Sequence, residues 1–315
     1  MTGDLDFVLM AGSSSQELGQ AIAAYLDHPL SPGEVLRFSD GNTFVRVLSN
    51  VRGRDVFLVQ AMAFAPNDEF VELLFWIDAL KRASASSVTV VLPYFSYAKG
   101  DKKDEPRVSI RARVCADALE VAGADRVVTM DLHAPQVQGF FRVPVDDLRA
   151  EPVLAERLRQ ELPDNLVIVA PDAGFAKRAR GLATRLGAPL AIADKRRVAH
   201  DENAEIIEVI GDVEGRVAVL VDDFSISAGT LCEAAAKLAD RGATRVVAAI
   251  SHGLLTGDAT ARIEKSPIER LYMTDTIEGH PTPLPAGTEV VSIAPLFGEA
   301  IRRISKRESI SVLFS

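Results

Sequence analysis

Residues 217–231 read VAVLVDDFSISAGTL, and this stretch determines the fold class. Five apolar residues predict a buried strand, and two adjacent carboxylates, Asp222 and Asp223, follow it directly. A loop of small residues comes next and leads into a segment of helical periodicity. Strand, loop and helix in this order are typical of a parallel sheet, which binds ligands at the carboxyl ends of its strands.

The same alternation runs along the whole chain. Short apolar runs predict strands at residues 7–10, 56–60, 88–92, 127–130, 166–170, 217–221 and 246–250. Longer periodic stretches predict helices at residues 69–83, 110–122, 177–186 and 231–241. The sequence therefore predicts an α/β protein whose mainly parallel sheets are flanked by helices.

A short internal repeat indicates a duplication. Residues 123–128 (GADRVV) align with residues 242–247 (GATRVV) at an offset that also carries His133 onto His252, after a predicted strand in each case. Chance explains one such match, because helix, glycine and strand often follow one another. A duplicated α/β domain explains both the match and the shared alternation, and we favour it.

The duplication predicts two domains. We expect an N-terminal domain at residues 1–150 and a C-terminal domain at residues 151–315. The last strand-like stretch, residues 310–313, is expected to pack on one of the two halves.

Composition excludes several classes of protein. The 315 residues carry 35 Lys and Arg against 44 Asp and Glu, a net charge of −9, which argues against a nucleic-acid surface or a polybasic membrane anchor. No apolar run approaches the roughly 18 residues of a spanning helix, and the N-terminus lacks a signal pattern. With only Cys115 and Cys232, a disulfide framework is excluded and a reducing cytoplasm is the expected location.

The loop after the strand has the properties of a phosphate site. Backbone N–H groups of residues 227–230 at a helix N-terminus would face a phosphate, and the hydroxyls of Ser227 and Thr230 add donors. Asp222 and Asp223 would reach ribose hydroxyls or a Mg²⁺-bound water. The alternative is a strand followed by an N-capped helix, but two carboxylates in series exceed what capping needs.

This element resembles the phosphoribosyl-binding loop of the phosphoribosyltransferase fold. Further motifs narrow the resemblance to the ribose-phosphate diphosphokinase family: FSDG at 38–41, VLPYFSYAKGDKK at 91–103, DLHA at 131–134, QGFF at 138–141, PDAG at 171–174 and DKRR at 194–197. The similarity covers essentially the whole chain in order. No Walker or Rossmann phosphate motif is present.

The resemblance implies a fold and a reaction. The fold is two tandem phosphoribosyltransferase-like domains, an N-terminal ATP side and a C-terminal sugar-phosphate side, in a dimer-based homo-oligomer such as a hexamer. The reaction is Mg²⁺-dependent transfer of the β,γ-diphosphoryl group of ATP to the anomeric hydroxyl of ribose 5-phosphate or a related sugar phosphate, which releases AMP. Such a transfer needs metal ions and cationic side chains to neutralise developing charge.

The resemblance also implies roles for individual residues. Lys195 and Arg197 match the catalytic loop, with a lid at residues 198–203, and His133 and Asp172 match the Mg²⁺ positions. The ATP side comprises Phe38, Asp40, Asn42, Lys99, Gly100 and Asp101. The sugar-phosphate side comprises Asp222, Asp223, Ile226, Ser227, Ala228, Gly229 and Thr230.

Without the resemblance, these residues have structural alternatives. The basic run at residues 194–197 reads equally well as a solvated loop. A lone histidine after a strand, such as His133, is more often structural, and His252 is interpreted as structural. Phe38 alone would be assigned to the core, and Cys115 to helix packing.

Several positions depart from the family pattern. Asn42 replaces an acidic residue, Lys99-Gly100 replaces Arg-Gln, residues 104–106 (DEP) reverse a basic charge, Ile226-Ser227 replaces Asp-Thr, and Phe175 replaces a glycine. Two hypotheses follow: a working diphosphokinase with altered acceptor preference or regulation, and a non-catalytic regulatory paralogue that binds active subunits. We favour the enzyme, because the residues that stabilise charge are present.

Overall fold

The computed structural model describes residues 6–197 and 205–314, and for residues 195–197 and 205–207 it describes the backbone alone. The first elements are β1 (Phe7–Ala11), α1 (Gln16–Leu26), β2 (Gly33–Arg37), β3 (Thr43–Val47), β4 (Asp55–Val59), α2 (Pro66–Arg82), β5 (Ser87–Leu92), α3 (Arg111–Ala122), β6 (Arg126–Met130) and β7 (Val145–Leu148). They are followed by α4 (Glu151–Glu161), β8 (Leu166–Ala170), α5 (Ala176–Leu186), β9 (Leu190–Arg197), β10 (Glu205–Ile210), β11 (Val217–Ser225), α6 (Gly229–Asp240), β12 (Arg245–Gly253), α7 (Ala259–Glu264), β13 (Ile268–Thr274), β14 (Thr288–Val291) and α8 (Ala294–Ser305). Short 3-10 helices lie at Ser96–Lys99, Pro135–Phe140 and Ser311–Phe314.

The chain divides into two compact units. The first contains the described residues up to Arg149, Thr276–Gly279 and the described residues from Ser292 onward. The second contains Ala150–Asp275 and His280–Val291. Each unit has its own sheet, and the predicted α/β class is confirmed.

The first unit is built on a five-stranded parallel sheet in the order β1-β4-β5-β6-β7. Strands β1, β4, β5 and β6 are mostly buried and apolar because helices cover the sheet, and Trp76 of α2 lies fully buried in the same core. The C-terminal helix α8 packs on α1, where Gly298 leaves room for the ring of Tyr25, 2.4 Å from where a Cβ would lie. A separate antiparallel ribbon of β2 and β3 completes the unit.

The second unit is built on a seven-stranded sheet in the order β10-β9-β8-β11-β12-β13-β14. Every described pair of neighbours is parallel except β9 with β10. Strands later in the sequence lie outward on both sides of the central pair β8 and β11. The strand order therefore changes direction between these two parallel strands. Open α/β sheets bind ligands at the carboxyl ends of the strands at such a switch point.

Three details differ from the sequence-based expectations. The predicted last strand at residues 310–313 is wrong, because Ser311–Phe314 form a 3-10 turn. Strand β11 does not end at Val221 but continues through both aspartates, since β12 extends alongside it and pairs as far as Gly253. His252 therefore lies inside β12 and is buried, whereas His133 follows β6 and is exposed.

The repeat junctions are alike in both units. Gly123 follows α3 and Gly242 lies just beyond α6, both with positive φ, and a strand begins three residues later in each case. Glycine is favoured there because it adopts the left-handed conformation without a Cβ clash. Of the described residues, none lies in a helix long and apolar enough to cross a membrane.

Candidate functional site

Two adjacent aspartates lie at the carboxyl end of β11 in the second unit. Because side chains alternate along a strand, Asp222 and Asp223 point to opposite faces of the sheet. Asp223 is 3% exposed and pairs with Arg178 of α5, whose Nη1 lies 3.5 Å from its Oδ2. Asp222 is partly open to solvent, and its Oδ1 accepts the amide of Asp223 at 2.9 Å.

Like charges crowd Asp222. Burial is the main cause that raises the pKa of Asp222 to about 8, and the charges of Asp223 and Asp172 raise it further. Asp172 follows β8, the strand that neighbours β11 at the switch point. The fold thus brings three predicted site carboxylates to one edge of the sheet, where a cation or hydroxyl groups would be favoured.

Asp172 is an exposed residue of the turn between β8 and α5. Its Oδ1 accepts the amide of Phe175 at 2.8 Å, just before α5 begins. The Phe175 ring lies 5.8 Å from the guanidinium carbon of Arg178. Phe175 therefore covers one side of the arginine that pairs with Asp223, and its backbone conformation (φ −83°) needs no glycine.

The loop between β11 and α6, together with the first turn of α6, carries the remaining predicted sugar-phosphate residues. Ile226 is 40% exposed, and Ser227 and Thr230 are also exposed. Ala228 is buried and has a left-handed backbone (φ 56°) that turns the chain into α6. The loop therefore presents its side chains and the amino end of α6 to solvent.

The two predicted catalytic cations lie at the end of β9. Lys195 pairs with Ile207 and Arg197 with Glu205 in the antiparallel ladder of β9 and β10. Their side chains, and residues 198–203 of the predicted lid, lie outside what the structure describes. Their catalytic roles stay predictions.

In the first unit, the predicted nucleotide residues 38–42 form the turn of the β2–β3 ribbon. The Phe38 amide donates to the Asn42 carbonyl at 2.9 Å, and Asp40 accepts from both the amide and the side chain of Asn42. These hydrogen bonds lower the pKa of Asp40. Phe38 is 52% exposed, so its alternative assignment to the core is wrong.

Segment 99–101 follows β5 and neighbours the turn after β6. Asp101 accepts from Gln136 Nε2 at 2.8 Å, which ties this segment to the 3-10 turn just beyond His133. Lys99 is half-buried and Gly100 is buried. These predicted residues therefore share one edge of the first sheet.

The backbone before His133 is held by a polar network. Asp131 has a left-handed conformation (φ 41°), and Asp147 accepts the amide of Leu132 at 3.0 Å. Arg149 pairs with Asp131 at 3.3 Å and with Asp147 at 3.1 Å. A buried network of this kind fixes the path of the turn that carries His133.

Comparisons with known proteins identify the family. A family model described as the N-terminal domain of ribose phosphate pyrophosphokinase matches residues 7–123, and one described as phosphoribosyl synthetase-associated domain matches residues 198–315. The chain is 48% identical over 310 residues to a ribose-phosphate pyrophosphokinase of Caulobacter vibrioides, covering 97% of this chain and 99% of the relative. The chain belongs to the ribose-phosphate pyrophosphokinase family.

Two further pyrophosphokinase relatives agree with this. A ribose-phosphate pyrophosphokinase of Thermosipho africanus is 46% identical, covering 97% of this chain and 96% of the relative. The crystal structure of phosphoribosylpyrophosphate synthetase from Mycobacterium smegmatis superposes with a TM-score of 0.90 at 37% identity, covering 96% of this chain and 99% of that one. The enzymatic hypothesis is therefore confirmed, and the non-catalytic alternative is not favoured.

One departure from the pyrophosphokinase pattern has a structural explanation at Gly100. A Cβ built on Gly100 would lie 2.7 Å from Nε and 2.8 Å from Cβ of Arg111, the first residue of α3. The Arg111 side chain therefore occupies the space that a larger residue at position 100 would need. Because Arg111 is exposed beside Lys99-Gly100, it adds a cation to this edge.

Sequence reasoning missed three arginines that contact the site: Arg111, Arg178 and Arg262. Each lies on a helix and reaches a segment distant in sequence, and Arg262 donates to the Ser227 carbonyl across 35 positions. No local motif indicates such a contact. Only the fold shows which basic residues of an ordinary amphipathic helix face the site.

We expect Gly100→Ala to destabilise the protein by about 1–3 kcal/mol, because the new methyl group collides with Arg111. Chemical denaturation measures the loss. Gly139→Ala in the same unit is the matched control, since a Cβ there has no neighbour within 4 Å. Equal stability of the two variants would contradict the close packing of Arg111 on Gly100.

Proposed function

We propose that this pyrophosphokinase transfers the β,γ-diphosphoryl group of ATP to the anomeric hydroxyl of ribose 5-phosphate, with AMP as the second product. One observation carries the proposal. At the switch point of the second sheet, the carboxylates of Asp172, Asp222 and Asp223 lie beside a loop that opens the 12-residue helix α6. Carboxylates suit sugar hydroxyls, and the amino end of a helix suits a phosphate.

The second unit binds and orients the acceptor. The amide groups at residues 227–230 receive the 5-phosphate, with the Ser227 and Thr230 hydroxyls beside them. Asp222, the member of the pair that is partly open to solvent, accepts hydrogen bonds from ribose hydroxyls. Arg178 keeps Asp223 in place, because an ion pair at 3.5 Å restricts a carboxylate that is almost wholly buried.

The first unit serves the nucleotide. The exposed ring of Phe38 stacks on the base, as expected for an aromatic side chain left in solvent. Lys99, with Asp40, Asn42, Gly100 and Asp101, lines the phosphate side. Lys195 and Arg197 stabilise the charge of the transferring group, which is the main catalytic requirement of phosphoryl chemistry.

Magnesium fits the residues present. Of the described residues, no three His, Cys, Asp or Glu side chains form a metal cluster. Mg²⁺ is typically held by one or two carboxylates together with substrate phosphates and waters, so it needs no such cluster. Asp172 would provide a hard oxygen ligand, and His133 would act through water or the nucleotide. Magnesium held there would supply positive charge against the phosphates.

The proposed enzyme is a dimer-based homo-oligomer, as the family resemblance implies, and a hexamer is one such assembly. It works in the cytoplasm. The two cysteines, Cys115 and Cys232, are both free and buried, which suits a reducing compartment. Burial raises the pKa of Cys115 to about 11, so its thiol stays neutral and serves packing.

We expect purified protein with Mg²⁺, ATP and ribose 5-phosphate to release AMP and form the diphosphorylated sugar. Chromatography of the nucleotides measures AMP. Ribose without its phosphate is the matched control and should release at least about 100-fold less, because the loop then has no anion to bind. A panel of other sugar phosphates tests the acceptor, since Ile226 and Phe175 add apolar groups near it. The absence of AMP release with ribose 5-phosphate and with every sugar phosphate of the panel would contradict the proposal.

A further inference from the structure

The loop between β11 and α6 has its carbonyl groups held on one side. Ser225 O accepts the amides of Leu254 and Leu255 at 2.9 and 3.2 Å, and Ile226 O accepts the amide of Thr256 at 2.8 Å. The segment after β12 therefore fixes the first two peptide groups of the loop. Among the described residues, no backbone amide donates to the third carbonyl, that of Ser227.

The donor to that carbonyl is Arg262 of α7. Its Nη1 lies 3.1 Å from the Ser227 carbonyl oxygen and 3.1 Å from the place where a Cβ on Gly229 would be. Gly229 thus allows the guanidinium to approach the backbone where α6 begins. In the described part of the chain, Arg262 forms no ion pair with a carboxylate.

The direction of these carbonyls fixes the direction of the loop amides. In a trans peptide the N–H points away from the carbonyl of the same peptide group, and the described chain contains no cis peptide. The N–H groups of Ile226, Ser227 and Ala228 therefore point away from the segment that holds the carbonyls. Over the described ranges, no acceptor takes these three N–H groups, which leaves them available to an anion.

We propose that Arg262 is a positioning residue for sugar-phosphate binding: by holding the Ser227 carbonyl against α7, it keeps the Ala228 N–H directed at the phosphate of the acceptor. This inference rests on the proposed function of the loop. Arg262 lies on the carbonyl side, so it acts through the peptide group and does not touch the sugar phosphate. Its positive charge also strengthens the field at the amino end of α6.

The inference predicts a selective effect of Arg262→Met. The KM for ribose 5-phosphate should rise about tenfold or more, because one phosphate donor loses its fixed direction. The KM for ATP and kcat should change less than about threefold, since the nucleotide residues are untouched. Arg262→Lys keeps a cationic donor, so its KM for ribose 5-phosphate should lie between that of the wild type and that of Arg262→Met.

Lys265→Met is the matched control. Lys265 is an exposed cation at the end of the same helix and makes no described contact with the loop, so its removal should leave both KM values unchanged. Gly229→Ala should raise the KM for ribose 5-phosphate by less than Arg262→Met does, because a Cβ 3.1 Å from Nη1 of Arg262 makes the guanidinium give way by only a few tenths of an ångström. The effects of Gly229→Ala and Arg262→Met should not add in the double variant, since both act on one contact.

Calorimetry separates this inference from the proposed function. Ribose 5-phosphate is titrated into protein that holds Mg²⁺ and α,β-methylene-ATP, which cannot donate its diphosphoryl group. Tenfold weaker binding in Arg262→Met supports the inference even if the wild type releases no AMP, a result that would contradict the proposed reaction alone. Two results for Arg262→Met would overturn the inference and leave the reaction intact. One is sugar-phosphate binding as tight as that of Lys265→Met; the other is a lower melting temperature together with a lower kcat and higher KM values for both substrates.

Discussion

Replacing Lys195 by alanine is expected to lower kcat by about 10³-fold while the KM for ATP changes less than about threefold. The proposed reaction builds negative charge on the phosphates as the diphosphoryl group moves, and a lysine placed at that group stabilises the transition state more than the bound substrate. Position 195 lies near the end of β9, one residue beyond Asp194 in the ladder with β10.

Steady-state release of AMP at several ATP concentrations measures both parameters. Lys177→Ala is the matched control, because Lys177 is an exposed cation of α5 in the same unit and should be replaceable without loss. A variant that raises the KM for ATP tenfold at unchanged kcat would show that Lys195 binds substrate and transition state equally. That result would contradict its catalytic role.

Much of the fold could be predicted from the sequence. The buried strands of parallel sheets are nearly continuous apolar runs, which is a local signal, so β1, β4, β5, β6, β8 and β12 lie close to their predicted positions. The short strands β2, β3, β7 and β14 were not predicted, because half-exposed strands of four or five residues have little apolar periodicity. The predicted strand at residues 310–313 is wrong for a similar reason, because a run of four mainly apolar residues forms a 3-10 turn as readily as a strand.

The chemistry of the site was less predictable than its position. Asp222 and Asp223 were found because they follow an apolar strand, which is a local pattern. The arginines that contact this segment could not be found in the same way. Arg178 pairs with Asp223 across 45 positions, and Arg262 donates to the Ser227 carbonyl across 35 positions. The preference for glycine at position 100 is also explained only by the fold, because the Arg111 side chain packs against this residue and leaves no space for a larger one.

The pH dependence of stability provides the second test, through Asp222. The pKa of Asp222 rises from an ordinary value of 3.8 to about 8 in the folded protein, first because the carboxyl is buried. Between these pH values the folded protein holds a proton that the unfolded chain has lost. The stabilisation is therefore complete below about pH 4 and is lost as the pH rises towards 8, by at most about 1.4 kcal/mol per pH unit.

Asp222→Asn cannot titrate at this position and should not show that loss. The quantity to follow is the difference in the free energy of unfolding between the wild type and Asp222→Asn, in buffer free of divalent cations. This difference should fall by about 1–3 kcal/mol from pH 5 to pH 7 and level off above pH 8. Urea denaturation at each pH measures the difference, with Asp164→Asn, at an exposed carboxylate of the same unit, as the matched control. A flat or rising difference for Asp222→Asn would mean that Asp222 is already ionised in the folded protein, and the crowding of carboxylates at the β8–β11 edge would then not raise its pKa.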